Sequence, residues 1–73
     1  MYTKVNFRND MLKELEKGYD PYRVGAKAFL CYFDNTRYLE KGLKDKIMNV
    51  MVMEEGPEFQ MTEEQFREFL IML

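Results

Sequence analysis

Histidine and serine are both absent from this 73-residue chain, and cysteine occurs once, at Cys31. Their absence excludes a Ser-His-Asp or Cys-His nucleophile and any histidine-liganded zinc or iron centre. A single thiolate can neither cage a metal nor close an internal disulfide. Nothing therefore points to an oxidising compartment, and the cytoplasm is the expected location. Glycine is sparse, and Gly18, Gly25, Gly42 and Gly56 stand too far apart to form a phosphate-cradling loop. No apolar run approaches the roughly 18 residues that a membrane span requires. The opening Met1-Tyr2-Thr3-Lys4-Val5-Asn6-Phe7-Arg8 has no signal-peptide core. No cofactor and no metal are expected, and the chain reads as a non-enzyme.

What is present is apolar surface in a length that permits only one domain. Hydrophobic residues make up 47% and aromatics 15% of the chain, too much for a disordered segment. The clearest local instruction lies at residues 53–66. Gly56 can take the left-handed conformation that closes a helix, and Pro57 has no amide with which to continue one. Thr62 followed three positions later by Gln65 has capping-box spacing, with Met61 and Phe66 placed as its hydrophobic staple. Asp20-Pro21 is a second start signal, an acidic cap followed by proline at the first helical position. Gly18 ends the helix before it.

These signals predict an all-α single small domain, an antiparallel bundle of about four helices with a short last helix, over 7–17, 21–34, 42–54 and 63–72. In the first helix Val5, Leu12 and Leu15 share a stripe flanked by Phe7 and Met11, with Lys13, Glu14, Glu16 and Lys17 opposite. The second helix is apolar nearly all round, which assigns it the middle of the domain. Asp34-Asn35-Thr36 ends it, and Arg37 to Lys41 follow as a short turn or loop. The third helix carries Leu43, Ile47, Val50 and Met51 at helical spacing, with Gly42 a neutral to unfavourable start. Phe59 and Met61 alternate as an extended segment over the core. The expected core is Leu12, Leu15, Val24, Ala28, Phe29, Tyr32, Leu43, Ile47, Val50, Met51, Phe66 and Phe69.

Charge is unevenly divided: residues 1–46 hold ten Lys/Arg and seven Asp/Glu, whereas residues 47–73 hold Arg67 against six Glu. One reading is a solvated surface with acids favouring a helix N-terminus. The other is an acidic edge of Glu54, Glu55, Glu58, Glu63, Glu64 and Glu68 that meets a basic partner. The tail adds apolar residues, Phe69, Ile71 and Leu73 among them, that a ten-residue helix cannot all turn inward. Self-association through that tail into a two-fold dimer would cover them. The methionines Met48, Met51 and Met53 either fill an irregular core or adapt to varied partners. Cys31 reads as inert core, and Tyr19, Tyr22, Tyr32 and Tyr38, whose polar tips also suit interfaces, read for the most part as core-edge packing.

Arg37, Lys41, Lys44 and Lys46 form a basic cluster beside the turn between the second and third helices. A helix-turn-helix would present polar side chains there, but the third helix turns apolar at once. Glu40 and Asp45 dilute the field, and an isoelectric point of about 5.1 is low for a nucleic-acid binder. Adjacent acids such as Glu54/Glu55 and Glu63/Glu64 point to different faces of a helix and make no ready chelate. A carboxylate-metal enzyme is thus the third reading, behind a nucleic-acid-associated regulator. The leading expectation is a protein–protein interaction module, of the inhibitor, antitoxin or immunity-protein kind, whose partner presents a basic surface.

Gly18-Tyr19-Asp20-Pro21, the aromatic-rich helix after it, Met53-Glu54-Glu55-Gly56-Pro57-Glu58-Phe59 and Thr62-Glu63-Glu64 together resemble a family of small bacterial proteins of unknown function. The resemblance spans most of the chain through capping and packing residues. It implies a compact helical domain in a bacterial setting and supplies no site.

Overall fold

The computed structural model describes residues 1–73 as an all-α bundle of four helices: α1 Lys4–Leu15, α2 Pro21–Asn35, α3 Leu43–Met51 and α4 Glu63–Ile71. Single 3-10 turns at Thr36–Tyr38, Val52–Glu54 and Pro57–Phe59 supply the corners. No helix is long and apolar enough to cross a membrane.

Two of the starts are those the residues prescribe. The Asp20 carboxylate accepts from the Tyr22 amide at 3.0 Å and the Arg23 amide at 3.4 Å, with Pro21 at the first helical position. Thr62 accepts from the Gln65 amide at 3.1 Å while Gln65 Oε1 accepts from the Thr62 amide at 2.9 Å, so the capping box is complete. Helix α1 begins at Lys4 rather than residue 7, because Thr3 and Asn6 form a second reciprocal box. Asparagine in place of Glu or Gln hides that box from a motif search. Gly18 leaves α1 with φ 93°, as its place after the last helical turn requires.

The other glycines depart from expectation. Gly42 precedes α3 with φ 85°, so it is required there, not merely tolerated. Gly56 is extended, with φ 163° and ψ 167°. Helix α3 is therefore closed not by a left-handed glycine but by tightening into the 3-10 turn at Val52–Glu54, ahead of Pro57, which opens the next turn. Tyr2 pairs with the loop before α3: its amide donates to the Tyr38 carbonyl at 2.6 Å, and the Glu40 amide donates to the Tyr2 carbonyl at 2.9 Å.

The core draws on every helix: Phe7, Met11 and Leu15 of α1, Val24, Ala28 and Cys31 of α2, Leu43, Ile47 and Val50 of α3, and Phe66 and Leu70 of α4, with Met53 from the corner. Leu12 and Phe29, expected inside, are exposed, and Tyr32, Met51 and Phe69 are only half-buried at its edge. The inward stripe of α1 is Phe7, Met11, Glu14 and Leu15. It sits on the face that Glu14 had been expected to leave to solvent, which turns Leu12 outward. Phe59, on its 3-10 turn, is also exposed, while Met61 packs against the core.

Glu14 can face inward because Arg23 meets it. The Glu14 residue is only 7% exposed, and Arg23 Nε donates to its Oε1 at 2.8 Å. Lys17 Nζ lies 3.6 Å from the second carboxylate oxygen. Arg23 also donates to the carbonyls of Glu14 and Gly18, so one guanidinium satisfies the open end of α1 and ties it to α2. The two partners are not equivalent. Arg23→Ala leaves a buried carboxylate short of its main partner and should cost about 2 kcal/mol, below the full buried-pair penalty because Arg23 is partly solvated. Glu14→Ala leaves a cation that still has two carbonyls and water, and should cost less. Urea denaturation of both variants tests this; equal or inverted losses would contradict it.

Candidate functional site

Helix α2 is apolar nearly all round, yet it is not surrounded. Val24, Gly25, Ala28 and Cys31 face the core. Tyr22, Phe29, Leu30 and Phe33 are exposed, with Phe29 at 46% and Phe33 at 68%. Phe29 and Phe33, one turn apart, stack with centroids 6.2 Å apart and planes at 24°. From Tyr22 to Phe33 this face runs about 16 Å along the helix. The reading of α2 as a central helix is corrected here: one side is core and the other is open.

Beside that open side lies a groove of about 300 Å³ lined by Phe29, Met48, Met51, Val52, Glu54 and Glu55. Gly25 lets its two walls approach. A methyl placed on Gly25 would stand 3.2 Å from both the Val50 carbonyl oxygen and the Glu54 amide nitrogen, and 3.0 Å from Glu54 Cγ. The end of α3 thus lies directly on the α2 backbone, with Met48 and Val52 exposed along the seam. Glu54 and Glu55 are exposed and enter no ion pair, unlike Glu14, Glu40 and Glu63. An apolar floor with two unpaired carboxylates can hold an apolar side chain and orient a cation beside it.

The other residues singled out from the sequence do not join this groove. Glu58 is exposed on the Pro57 turn, with its carboxylate folded over Gly56. Glu63 pairs with Arg67 at 2.9 Å one turn along α4, and Glu64 and Glu68 are exposed on the same helix. Phe69 and Leu73 are half-buried: Phe69 stacks on Phe66 with centroids 6.4 Å apart, and the Leu73 carbonyl accepts from Arg8 Nη2 at 3.0 Å. Ile71 and Met72 point outward, at 73% and 80% exposure. The tail therefore splits by helical face rather than forming one patch. Arg37, Lys41 and Lys44 are exposed and Lys46 is half-buried.

The sequence names Glu54 and Glu55 as contact residues, and leaves Met48 and Met51 open between core filling and partner contact, with Met51 in the expected core. It does not point to Phe29 and Phe33, because an apolar residue on the nearly all-apolar α2 reads as interior, nor to Val52, which stands only beside the α3 stripe.

A polar cluster lies apart from the groove. The Tyr2 hydroxyl donates to Asp10 Oδ2 at 2.5 Å, and the Cys31 thiol donates to the same oxygen at 3.8 Å. Burial pushes the Tyr2 hydroxyl well above its ordinary value of 10.0, and its bond to Asp10 pushes the same way. Burial likewise raises the Cys31 thiol above 9.0. A thiol held neutral is a poor nucleophile and a poor metal ligand. No group of three or more His, Cys, Asp or Glu side chains is placed to hold a metal ion.

The sign of the pH effect follows. The unfolded chain releases these two protons before the folded chain does, so the stability is present below about pH 9 and declines as pH rises through 9 and then 10. Urea midpoints should fall over that range. The fall should become shallower when Tyr2→Phe and Cys31→Ala are combined, with the share of Tyr19, whose hydroxyl pKa burial also raises, left in place; an unchanged slope would show that neither group governs it.

No protein-family model, curated protein or solved structure matches this chain.

Proposed function

We propose that this chain is a non-enzymatic protein–protein interaction module, of the inhibitor, antitoxin or immunity-protein kind, that engages its partner through the open side of α2 and the adjoining end of α3. The observation that carries this reading is the apolar face of Tyr22, Phe29, Leu30, Phe33, Met48 and Val52, exposed on a domain whose core is already formed by other residues. Leaving such a face in water forgoes roughly 25 cal/mol per Å², and exposed apolar patches of this kind mark interaction sites. A cytoplasmic setting accords with a single cysteine kept as a buried neutral thiol. The acidic rim favours a partner with a basic surface.

A photoreactive benzoylphenylalanine in place of Phe29 should crosslink one discrete protein in the producing cell. The same group in place of Glu16, exposed on α1, should not. Capture of nothing, or of the same proteins from both positions, would count against the reading. Self-association is a separate proposal that rests on Ile71 and Met72. Sedimentation at micromolar concentration should then show a dimer that Ile71→Glu dissociates, and a monomer in both would remove it.

The nucleic-acid reading keeps one observation in its favour. Arg37, Lys41 and Lys44 are exposed outside every ion pair, next to an exposed Tyr38, whereas Glu40 is drawn off to Lys4 at 3.8 Å. It predicts a salt-dependent shift of a labelled duplex that Lys41→Glu with Lys44→Glu abolishes.

A further inference from the structure

We propose that the groove between α2 and α3 receives a basic amphipathic helix of another protein. One large apolar side chain of that helix enters between Phe29 and the Met48, Met51 and Val52 wall, and a lysine or arginine one turn away meets Glu54 and Glu55. This rests on the docking face described above and names what occupies it.

The shape selects a helix. Tyr22, Phe29 and Phe33 offer a strip about 16 Å long, roughly three turns of a partner helix, and a helix presents its anchors at the i, i+3, i+4 and i+7 spacing that such a strip accepts. The two methionines let the wall adjust to the shape of the anchor.

The charge selects a basic one. None of the six lining residues is cationic, and two are carboxylates with no counter-ion of their own. Rim carboxylates of this kind favour a cationic partner and repel an acidic one. They also disfavour a second copy of this chain as the occupant. A two-fold interface lays the same patch on itself, which would bring four carboxylates to one seam with no lining cation to separate them.

The test uses two fluorescein-labelled synthetic peptides of about twelve residues, held helical by a hydrocarbon staple on the face away from the leucines because free helices this short are marginal. They have the same leucine positions and either lysine or glutamate at every remaining polar position. Fluorescence anisotropy against the full chain at physiological ionic strength should show saturable binding of the lysine helix only. Phe29→Asp should weaken it about tenfold or more, as loss of a central anchor does. E54K with E55K should transfer the preference to the glutamate helix, whereas E64K with E68K, outside the groove, should leave it unchanged.

Equal binding of both helices would overturn the proposal, as would lysine-helix binding that ignores Phe29→Asp and the Glu54/Glu55 reversal. So would a sedimenting dimer that Phe29→Asp dissociates, which would make a second copy the occupant. If neither helix binds while benzoylphenylalanine at Phe29 still captures its protein, the occupant is refuted and the docking face stands. If both experiments are blank, the face falls with it.

Discussion

Replacing Phe66 with alanine should cost about 3–5 kcal/mol, a large part of the ~4–11 kcal/mol expected for a domain of 73 residues. The ring is fully buried, stacked against Phe69 and tilted against Tyr19 with centroids 5.7 Å apart. What makes the position severe is how few other anchors α4 has. Leu70 is its other buried side chain. Arg8 of α1 reaches over to donate to the Leu70 carbonyl at 2.7 Å and the Leu73 carbonyl at 3.0 Å, satisfying the open end of the helix. A nine-residue helix is too short to persist in water on propensity alone. Without the Phe66 ring, α4 should therefore leave the bundle rather than settle into the cavity. Urea denaturation gives the loss, and amide exchange over 63–71 should become fast while α2 and α3 stay protected. Phe69→Ala, at a half-buried neighbour, should cost clearly less. A loss below about 1 kcal/mol for Phe66→Ala would mean that α4 is not held by its core face.

Helix ends were the most legible part of this chain, because a cap is local chemistry. Asp20-Pro21 and Thr62 with Gln65 name the atoms that bond, and those atoms do bond. The box at Thr3 and Asn6 uses the same chemistry with a rarer residue, so the sequence pattern places the start of α1 three residues late. Faces were harder. Periodicity fixes which residues share a direction on a helix, but not which direction has a neighbour. In α1 the stripe through Val5, Leu12 and Leu15 and the stripe through Phe7, Met11 and Leu15 differ by less than a quarter turn. What decided between them was the guanidinium of Arg23, nine positions away in sequence, which makes an inward Glu14 tolerable.

The same limit explains what was missed of the site. A 15-residue helix with as few polar residues as Arg23, Lys27, Asp34 and Asn35 can be central, or it can have one side for the core and one for a partner. Three other helices of nine to twelve residues do not enclose it on every side. Charge alone singles out Glu54 and Glu55, and the groove they border depends on how closely α3 crosses α2. That distance is set by the missing side chain of Gly25.

Gly25 should for this reason behave unlike an ordinary glycine within a helix. At a solvent-facing position, glycine to alanine stabilises a helix by up to about 1 kcal/mol. At Gly25 the new methyl would meet the Val50 carbonyl and the Glu54 amide at 3.2 Å, both backbone atoms that cannot rotate away. The propensity gain and the contact then oppose each other. Gly25→Ala should come out destabilising by about 1 kcal/mol, and Gly25→Leu by about 3 kcal/mol, because the larger side chain forces α2 and α3 apart. The groove makes the second readout independent of stability. Phe29 stands one turn beyond Gly25 on α2, while Met51, Val52 and Glu54 belong to the segment the methyl would displace. Folded Gly25→Ala should therefore bind the lysine helix more weakly than the parent chain does, at a temperature where both are fully folded by circular dichroism. Gly18→Ala is the matched control: its φ of 93° is unfavourable for alanine, yet no atom lies within 4 Å of the added methyl. It should lose stability and leave the groove alone. Weakened binding in Gly18→Ala to the same degree would assign the effect to general loosening. A Gly25→Ala protein more stable than the parent would show that α3 does not rest on the α2 backbone.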